Sequence, residues 1–232
     1  MILTGHQPTY LPWLGLFSKI SSSDCFVLFD NVQYLPKEWM SRNKIKTPDG
    51  EIFLNVPVLK KSFLEKKIYE IKINNNLNWR RKHLKSIKLN YSKSKFYNDY
   101  IEYFEEIYSR EWIYLQDLNF NMLKLFLKLL NIDVRLIRLS ELQVKGRKSE
   151  LILNLCLKLK AKKFIFGEQG INYADIESFQ KKKIDVIFQN YKHPTYHQLH
   201  GKFISNLSII DLLFNCGSKS LEIINSNQKI LR

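Results

Sequence analysis

The chain has 232 residues, of which 45% are hydrophobic, and a formal net charge of +15. This length and composition allow the chain to bury a full core without disulfide bonds. Its three cysteines are widely spaced and match no zinc or disulfide pattern, so we expect reduced thiols and a cytoplasmic protein. No apolar run is long enough to cross a bilayer, and no secretion signal is recognisable, so neither a membrane span nor export is predicted.

The first thirty residues predict the centre of a parallel sheet. Two short apolar runs flank a segment whose apolar side chains recur at helical spacing, which is typical of a strand, a helix and a second, parallel strand. Pro8 and Pro12 exclude a helix before about residue 12 and suit its first turn. The loop after the first strand therefore contains His6, Gln7 and Tyr10.

The middle of the chain predicts a long loop, a pair of strands and a helical block. Residues 31–46 have many hydrogen-bonding side chains and no regular period, so we expect a functional loop there. Strands are predicted at 51–58 and 68–73, on either side of a Lys-rich connection. Three helices follow, predicted to begin near Asn78, Tyr97 and Leu118. Neither Gly nor Pro interrupts residues 78–130, which indicates a helical insertion.

The α/β pattern resumes after the helical block. The predicted elements are strands at 134–139, 163–167 and 185–189, and helices at 149–159, 171–180 and 209–214. Ser208 is expected to cap the last helix, and Gly217 to end it. The sequence thus predicts one α/β domain over residues 1–232, with a mainly parallel, Rossmann-like sheet and the helices of 78–130 inserted in it.

Polar side chains follow or end several of the predicted strands. They are His6 and Gln7 after the first strand, Glu168, Gln169 and Tyr173 after the strand at 163–167, and Gln189 and Tyr191 at the last one. Because the carboxyl ends of parallel strands share one edge of a sheet, we expect these side chains in one crevice. Two structural alternatives stay open: His6 packs beneath its loop, or Glu168 caps the next helix.

Two further regions reach this crevice only if their segments fold back over the edge of the sheet. Asn43 and Lys44 reach it if the loop at 31–46 folds over the sheet edge as a lid. His193 reaches it if the chain doubles back after the last parallel strand. We therefore predict a lid and a return segment.

The densest polar segment spans residues 191–200. It contains three histidines, His193, His197 and His200. Their spacing raises the question of a metal site, but Pro194 prevents one helix from presenting all three, and we assign no metal ligands. We expect an extended segment at the mouth of the crevice, with one imidazole of near-neutral pKa acting as a base. Its substrate contacts are expected from Tyr191, Tyr196 and Gln198.

A basic turn and a lone carboxylate complete the candidates. Lys145, Arg147 and Lys148 precede a predicted helix, where cations and free backbone N–H groups favour phosphate; a solvated basic turn is the alternative. Asp211 lies in an apolar helix and must find partners there. We expect a structural pairing for it rather than catalysis.

Five segments resemble the WbqC-like family of bacterial surface-polysaccharide gene clusters. They are HQPTYLPWLG at 6–15, DNVQY at 30–34, RNKI at 42–45, QNYKHPTYHQ at 189–198 and LSIIDLLFN at 207–215. These segments extend over nearly the full length of the chain. The role proposed for that family is transfer of an amino acid, glycine, during O-antigen assembly.

The resemblance implies a transferase that joins an aminoacyl or acyl group to the amine of a nucleotide-linked amino sugar. Such an amine needs a base, which His6 or His193 could provide, and the developing oxyanion needs donors such as Gln7 or Asn43. ATP and Mg²⁺ are required if the enzyme activates the acyl group itself. They are not required if that group arrives on a carrier or a tRNA, and the sequence leaves this choice open.

Two other functions remain open at this point. The positive charge and the Lys- and Tyr-rich residues 60–103 could bind nucleic acid, including a tRNA donor, with aromatic side chains stacking on bases. Against this, the aromatic residues recur at the spacing of helical cores. The chain could also act as a non-catalytic scaffold of a polysaccharide synthesis complex.

Overall fold

A six-stranded sheet forms the centre of the structure, a computed structural model that describes residues 1–59 and 65–231. Its strands are β1 (Ile2–His6), β2 (Cys25–Leu28), β5 (Arg135–Arg138), β6 (Lys163–Phe166), β7 (Asp185–Tyr191) and β8 (Gln228–Leu231). A separate hairpin consists of β3 (Arg42–Thr47) and β4 (Gly50–Asn55). The helices are α1 (Leu14–Ser21), α2 (Trp79–Tyr91), α3 (Tyr97–Ser109), α4 (Leu115–Leu129), α5 (Lys148–Lys158), α6 (Ile176–Lys181), α7 (Ile209–Cys216) and α8 (Ser220–Asn225).

The strand order is β5–β2–β1–β6–β7–β8, with the first five strands parallel and β8 antiparallel to β7. The chain builds the sheet from β1 outward through β2 to β5, then returns to place β6 on the other side of β1. The order therefore reverses between β1 and β6, at the topological switch point where ligands of open α/β sheets bind. The predicted α/β fold class is confirmed, as is the parallel pairing of the first two strands.

Helices cover both faces of the sheet. Along β2, Phe26 and Leu28 belong to one hydrophobic cluster, whereas Cys25 and Val27 belong to another. The first cluster also contains side chains of α1, α2, α3, α4, α7 and α8, and the second contains those of α5 and α6. Successive strand residues point to opposite faces, so the helices predicted from residues 78–130 lie on one face and α5 and α6 on the other.

The strand predicted at 68–73 is wrong. Ile68–Glu70 forms a 3₁₀ turn, and isolated bridges join Ile73 to Val58 and Lys72 to Tyr114. The isoleucines of this segment are buried in the larger cluster, so their spacing reflects burial of an irregular chain rather than a strand. The predicted Lys-rich connection includes residues 60–64, which lie outside the described residues.

Two other predicted boundaries shift. The loop expected at 31–46 ends at Arg42, because residues 42–47 pair with β4 around a turn at Pro48 and Asp49. The helix expected at 171–180 begins only at Ile176, where the Asp175 carboxylate accepts a hydrogen bond from the Ser178 backbone N–H. In the part of the chain that the structure describes, no helix is both long and apolar enough to span a membrane.

Candidate functional site

A cavity of about 450 Å³ lies at the switch point between β1 and β6. Its walls come from the loops that follow β1, β2 and β6, and from α1 and the end of β7. The lining residues are Gly5, His6, Gln7, Trp13, Lys19, Phe29, Gly167, Glu168, Gln169, Gly170, Tyr173, Gln189, Tyr191 and Asn206. The geometry of the fold thus brings together seven of the side chains predicted for the crevice.

Lys19 is the cation of this cavity. Its side chain comes from the last turn of α1, is only 3% exposed, and donates from Nζ to the backbone oxygen of Gly5 at 3.0 Å. A Cβ at Gly167 would lie 3.9 Å from Nζ, so the glycine leaves space beside the ammonium group. Burial lowers the pKa of Lys19 to about 8, because the charged form is poorly solvated there.

His6 ends β1 and contributes a neutral imidazole. Its Nδ1–H donates to the Gln7 carbonyl at 2.8 Å, so Nε2 keeps its lone pair, and Nε2 has no hydrogen-bond partner among residues 1–59 and 65–231. Burial, together with the charge of Lys19, lowers the pKa of His6 to about 3. Burial also lowers the pKa of His193.

The remaining polar side chains of the cavity differ in their exposure and in the hydrogen bonds they already form. Gln7 forms no side-chain hydrogen bond within the described part of the chain, and Glu168 and Gln169 are exposed. In contrast, the Gln189 amide donates to the Gly15 carbonyl at 2.9 Å and thereby fixes β7 to α1. Gln7 and Glu168 are thus available to a ligand, and Gln189 supports the wall.

A smaller, more apolar compartment of about 210 Å³ adjoins this cavity. It is lined by Trp13, Trp39, Asn43 and Asn206, and it shares Trp13 and Asn206 with the larger compartment. Trp39 is 43% exposed, and its ring lies 6.2 Å from that of Phe53 on the hairpin. The two compartments form one cleft with a polar end and an aromatic end.

The loop predicted as a lid lies over the loop that follows β1, and Asn43 reaches the cleft there. The Tyr10 backbone N–H donates to the Trp39 carbonyl at 3.0 Å, so the loop before the hairpin lies on the loop after β1. Asn43 donates to the Leu11 carbonyl at 2.6 Å, where Leu11 has a positive φ of 45°. Since this φ is uncommon outside glycine, we assign Asn43 the role of holding the loop, as well as lining the aromatic compartment.

Several predicted substrate residues lie outside the cleft. Tyr10 is fully buried under α2 and α3, with its hydroxyl bonded to His83 and Tyr108. Lys44 forms an ion pair with Glu51 on the hairpin. Tyr196 donates to Asp211 at 2.9 Å, and Gln198 accepts from Lys46 Nζ at 3.0 Å.

The other predicted groups are separated from the cleft as well. His193 is not among the residues that line it, but its ring contacts that of Tyr191, with centroids 6.3 Å apart. The exposed turn before α5 contains Lys145 and Arg147, and the exposed Lys148 begins the helix; none of the three lines the cleft. The described residues contain no group of three or more His, Cys, Asp or Glu side chains placed to hold a metal ion.

The sequence reasoning missed four side chains that line the larger compartment, Trp13, Lys19, Phe29 and Asn206, and Trp39 in the smaller one. One signal was available for Lys19, which is a charged residue on a short helix that is otherwise almost entirely apolar. Nothing local distinguishes Asn206, because it reaches the cleft through tertiary contacts of the C-terminal segment.

The fold and the cleft define an α/β protein with a candidate ligand cleft at the switch point of a mainly parallel sheet. The profile of the WbqC-like protein family matches residues 7–223, so the chain belongs to this family. It is also 32% identical over 216 residues to "Uncharacterized protein Rv1507c" of Mycobacterium tuberculosis (strain ATCC 25618 / H37Rv), covering 92% of this chain and 93% of that protein. No solved structure matches the chain significantly.

Proposed function

We propose that the chain is an enzyme that transfers an aminoacyl or acyl group, with glycyl favoured, to the amine of a nucleotide-linked amino sugar for a surface polysaccharide. The two-compartment cleft is the observation that carries this proposal. Its polar end contains Lys19, His6 and Gln7, and its aromatic end contains Trp13 and Trp39. A sugar or base ring suits the aromatic end, and the charged and reacting groups suit the polar end.

The proposed chemistry joins the amine nitrogen to the acyl carbon and breaks the bond to the leaving group. The free lone pair of His6 Nε2 accepts the proton that the attacking amine loses. The Gln7 amide donates to the oxygen of the tetrahedral intermediate, where negative charge develops. A group with a pKa near 3 is a weak base in the free enzyme. Burial is the main cause of this low pKa, and bound substrate that offsets the charge of Lys19 would relieve the smaller cause.

The activated acyl donor comes from one of two chemical sources. A free amino acid requires ATP, whose cleavage activates the carboxyl group before the amine attacks. An acyl group that arrives on a carrier or a tRNA is already activated and requires no ATP. No residue of the cleft favours one of these donors over the other.

The test uses purified protein and mass spectrometry of the acceptor. Nucleotide-linked amino sugars are incubated with free amino acids plus ATP and Mg²⁺, with amino acids alone, or with aminoacyl-tRNA. The expected product is heavier than the acceptor by one amino-acid residue, and an acceptor lacking the free amine remains unchanged. If none of the three donor conditions changes the mass of any amino sugar, the proposal is rejected.

A further inference from the structure

Lys19 is a buried charge with unfilled hydrogen-bonding capacity. An ammonium group has three N–H donors, yet among the described residues only the Gly5 carbonyl accepts from Nζ. Lys19 also takes part in none of the ion pairs within that part of the chain. A buried charge normally has a counter-charge, because removing it from water is costly. Within the described protein this partner is missing.

A purely structural role explains the side chain poorly. Lys19 lies in the last turn of α1, where a cation could stabilise the carbonyl end of the helix. Its Nζ, however, contacts Gly5 on β1 rather than a carbonyl of α1. The ammonium group therefore faces the sheet edge and the cavity instead of the end of its own helix.

We propose that Lys19 is the anchor for an oxyanion, a phosphoryl or carboxylate group, of the ligand that occupies the switch-point cavity. Gly167 leaves room for an oxyanion beside Nζ, since it places no side chain at the position where a Cβ would lie 3.9 Å from Nζ. Neutral donors are close by, including the Gln7 amide. The Glu168 carboxylate also lines the cavity, but it is exposed and forms no ion pair with Lys19. The cation and the neutral donors beside it match a single oxyanion group.

This assignment places the anion site in the cleft rather than at the basic turn before α5. It rests on the proposed function for the identity of the natural ligand. The binding test below uses simple anions and needs no turnover, so the two proposals can fail separately.

The experiment measures thermal unfolding against increasing sodium phosphate, pyrophosphate or acetate, at constant ionic strength set with chloride. A ligand that binds only the folded state raises the melting temperature with concentration. Lys19→Met removes the charge with a side chain of similar length, and Lys128→Met removes an exposed lysine of α4 as the matched control. The wild type and Lys128→Met are expected to show equal, saturable stabilisation.

In Lys19→Met the anion affinity should fall roughly ten- to a hundredfold, which is the loss of one charge-assisted hydrogen bond. Without anion this variant should be at least as stable as the wild type, because an apolar group replaces an unpaired buried charge. Stabilisation by phosphate or pyrophosphate alone identifies a phosphoryl ligand, and stabilisation by acetate alone identifies a carboxylate. The proposal is overturned if no anion stabilises the wild type, if Lys19→Met responds like the wild type, or if Lys128→Met loses the response.

A second measurement on the wild type covers the case in which Lys19→Met does not fold. The pKa of Lys19, which burial lowers to about 8, is followed by NMR of the labelled side chain with and without saturating anion. An oxyanion at Nζ should raise this pKa by about one unit or more, since it favours the charged form. An unchanged pKa at an anion concentration that stabilises the protein would place the anion elsewhere.

Discussion

The cleft and the buried cluster around Tyr10 both contain a histidine and other polar groups, but they differ in how these groups are satisfied. In the cluster, His83 Nδ1 accepts from the Tyr10 hydroxyl at 2.8 Å, the backbone of Asn55 forms a further hydrogen bond with the ring, and Tyr108 bonds to Tyr10. In the cleft, His6 Nε2 and two donors of Lys19 have no partner within the described residues. Satisfied groups stabilise a core, whereas unsatisfied groups beside a cavity favour a ligand.

A second satisfied network strengthens the contrast. The fully buried Asp211 accepts from Tyr91 and Tyr196, each at 2.9 Å, and burial raises its pKa while these donors oppose the rise. Lys46 is nearby, with Nζ on Gln198 and on the Lys202 carbonyl. The network links the hairpin, α2 and the C-terminal segment. Asp211 therefore has structural partners, as the sequence analysis expects.

The comparison is tested most strongly by Asp211→Ala. Two buried hydroxyl groups lose their acceptor and Lys46 loses its nearest counter-charge, so we expect a loss of about 3–5 kcal/mol in the free energy of unfolding. Denaturant unfolding measures the change, with the exposed Asp133→Ala as control. A variant as stable as the wild type would show that this network contributes little.

His6→Ala should have the opposite profile. We expect turnover in the acyl-transfer assay to fall roughly 10²-fold or more, the usual contribution of a general base, with the melting temperature nearly unchanged. The exposed His197→Ala is the control and should keep full activity. Full activity of His6→Ala, or failure of that variant to fold, would return His6 to a packing role.

Tyr10→Phe tests whether a residue of the first loop can be purely structural. The change leaves His83 Nδ1 without its donor and Tyr108 without its partner, which should cost about 1–3 kcal/mol of unfolding free energy. Turnover per folded molecule should remain that of the wild type. Tyr69→Phe, at a partly exposed tyrosine, serves as the stability control. A loss of turnover in a stable Tyr10→Phe protein would contradict the distinction between the two regions.

Trp39→Ala sharpens the description of the aromatic compartment. Because the ring is 43% exposed, its removal should change stability little. We expect KM for the acceptor to rise roughly two- to tenfold with kcat unchanged, which corresponds to an aromatic contact of about 0.5–1.5 kcal/mol. Leu89→Ala removes an exposed apolar side chain of α2 and should leave KM unaltered. An unchanged KM in Trp39→Ala would separate this compartment from the acceptor site.

The pH dependence of stability should reflect both regions. His6 and His83 have folded-state pKa values of about 3 and about 4, below the ordinary value of 6.5, so the unfolded chain takes up protons first as the pH falls. The contribution of the two neutral imidazoles to the free energy of unfolding should be fully present above pH 6.5. It should decrease from there toward pH 4. Unfolding at pH 7.5, 6 and 5 measures this slope, which should be smaller in His6→Ala. A flat profile in the wild type would mean that neither imidazole is kept neutral by burial.

The sequence determined the fold class, the central strand pair and most helix positions, because these follow from local apolar period, proline and capping residues. It also indicated which side chains follow β1, β6 and β7, and the parallel arrangement placed these at one edge. The resemblance of five segments identified the family, which the family profile confirms. All of these features depend on residues that are neighbours in the sequence, or on complete sequence motifs.

Only the tertiary structure decided which motif residues face the cleft. Tyr10 and His6 are four positions apart in one motif, yet Tyr10 points into the helical layer and His6 into the cavity. Likewise, Lys19 matters because β1 and the Gly167 turn surround its ammonium group. The sequence of α1 shows a charge among apolar residues, but it does not show which elements surround that charge. The direction of a loop side chain, and the burial of a charge, depend on elements distant in sequence that pack together only in the folded chain.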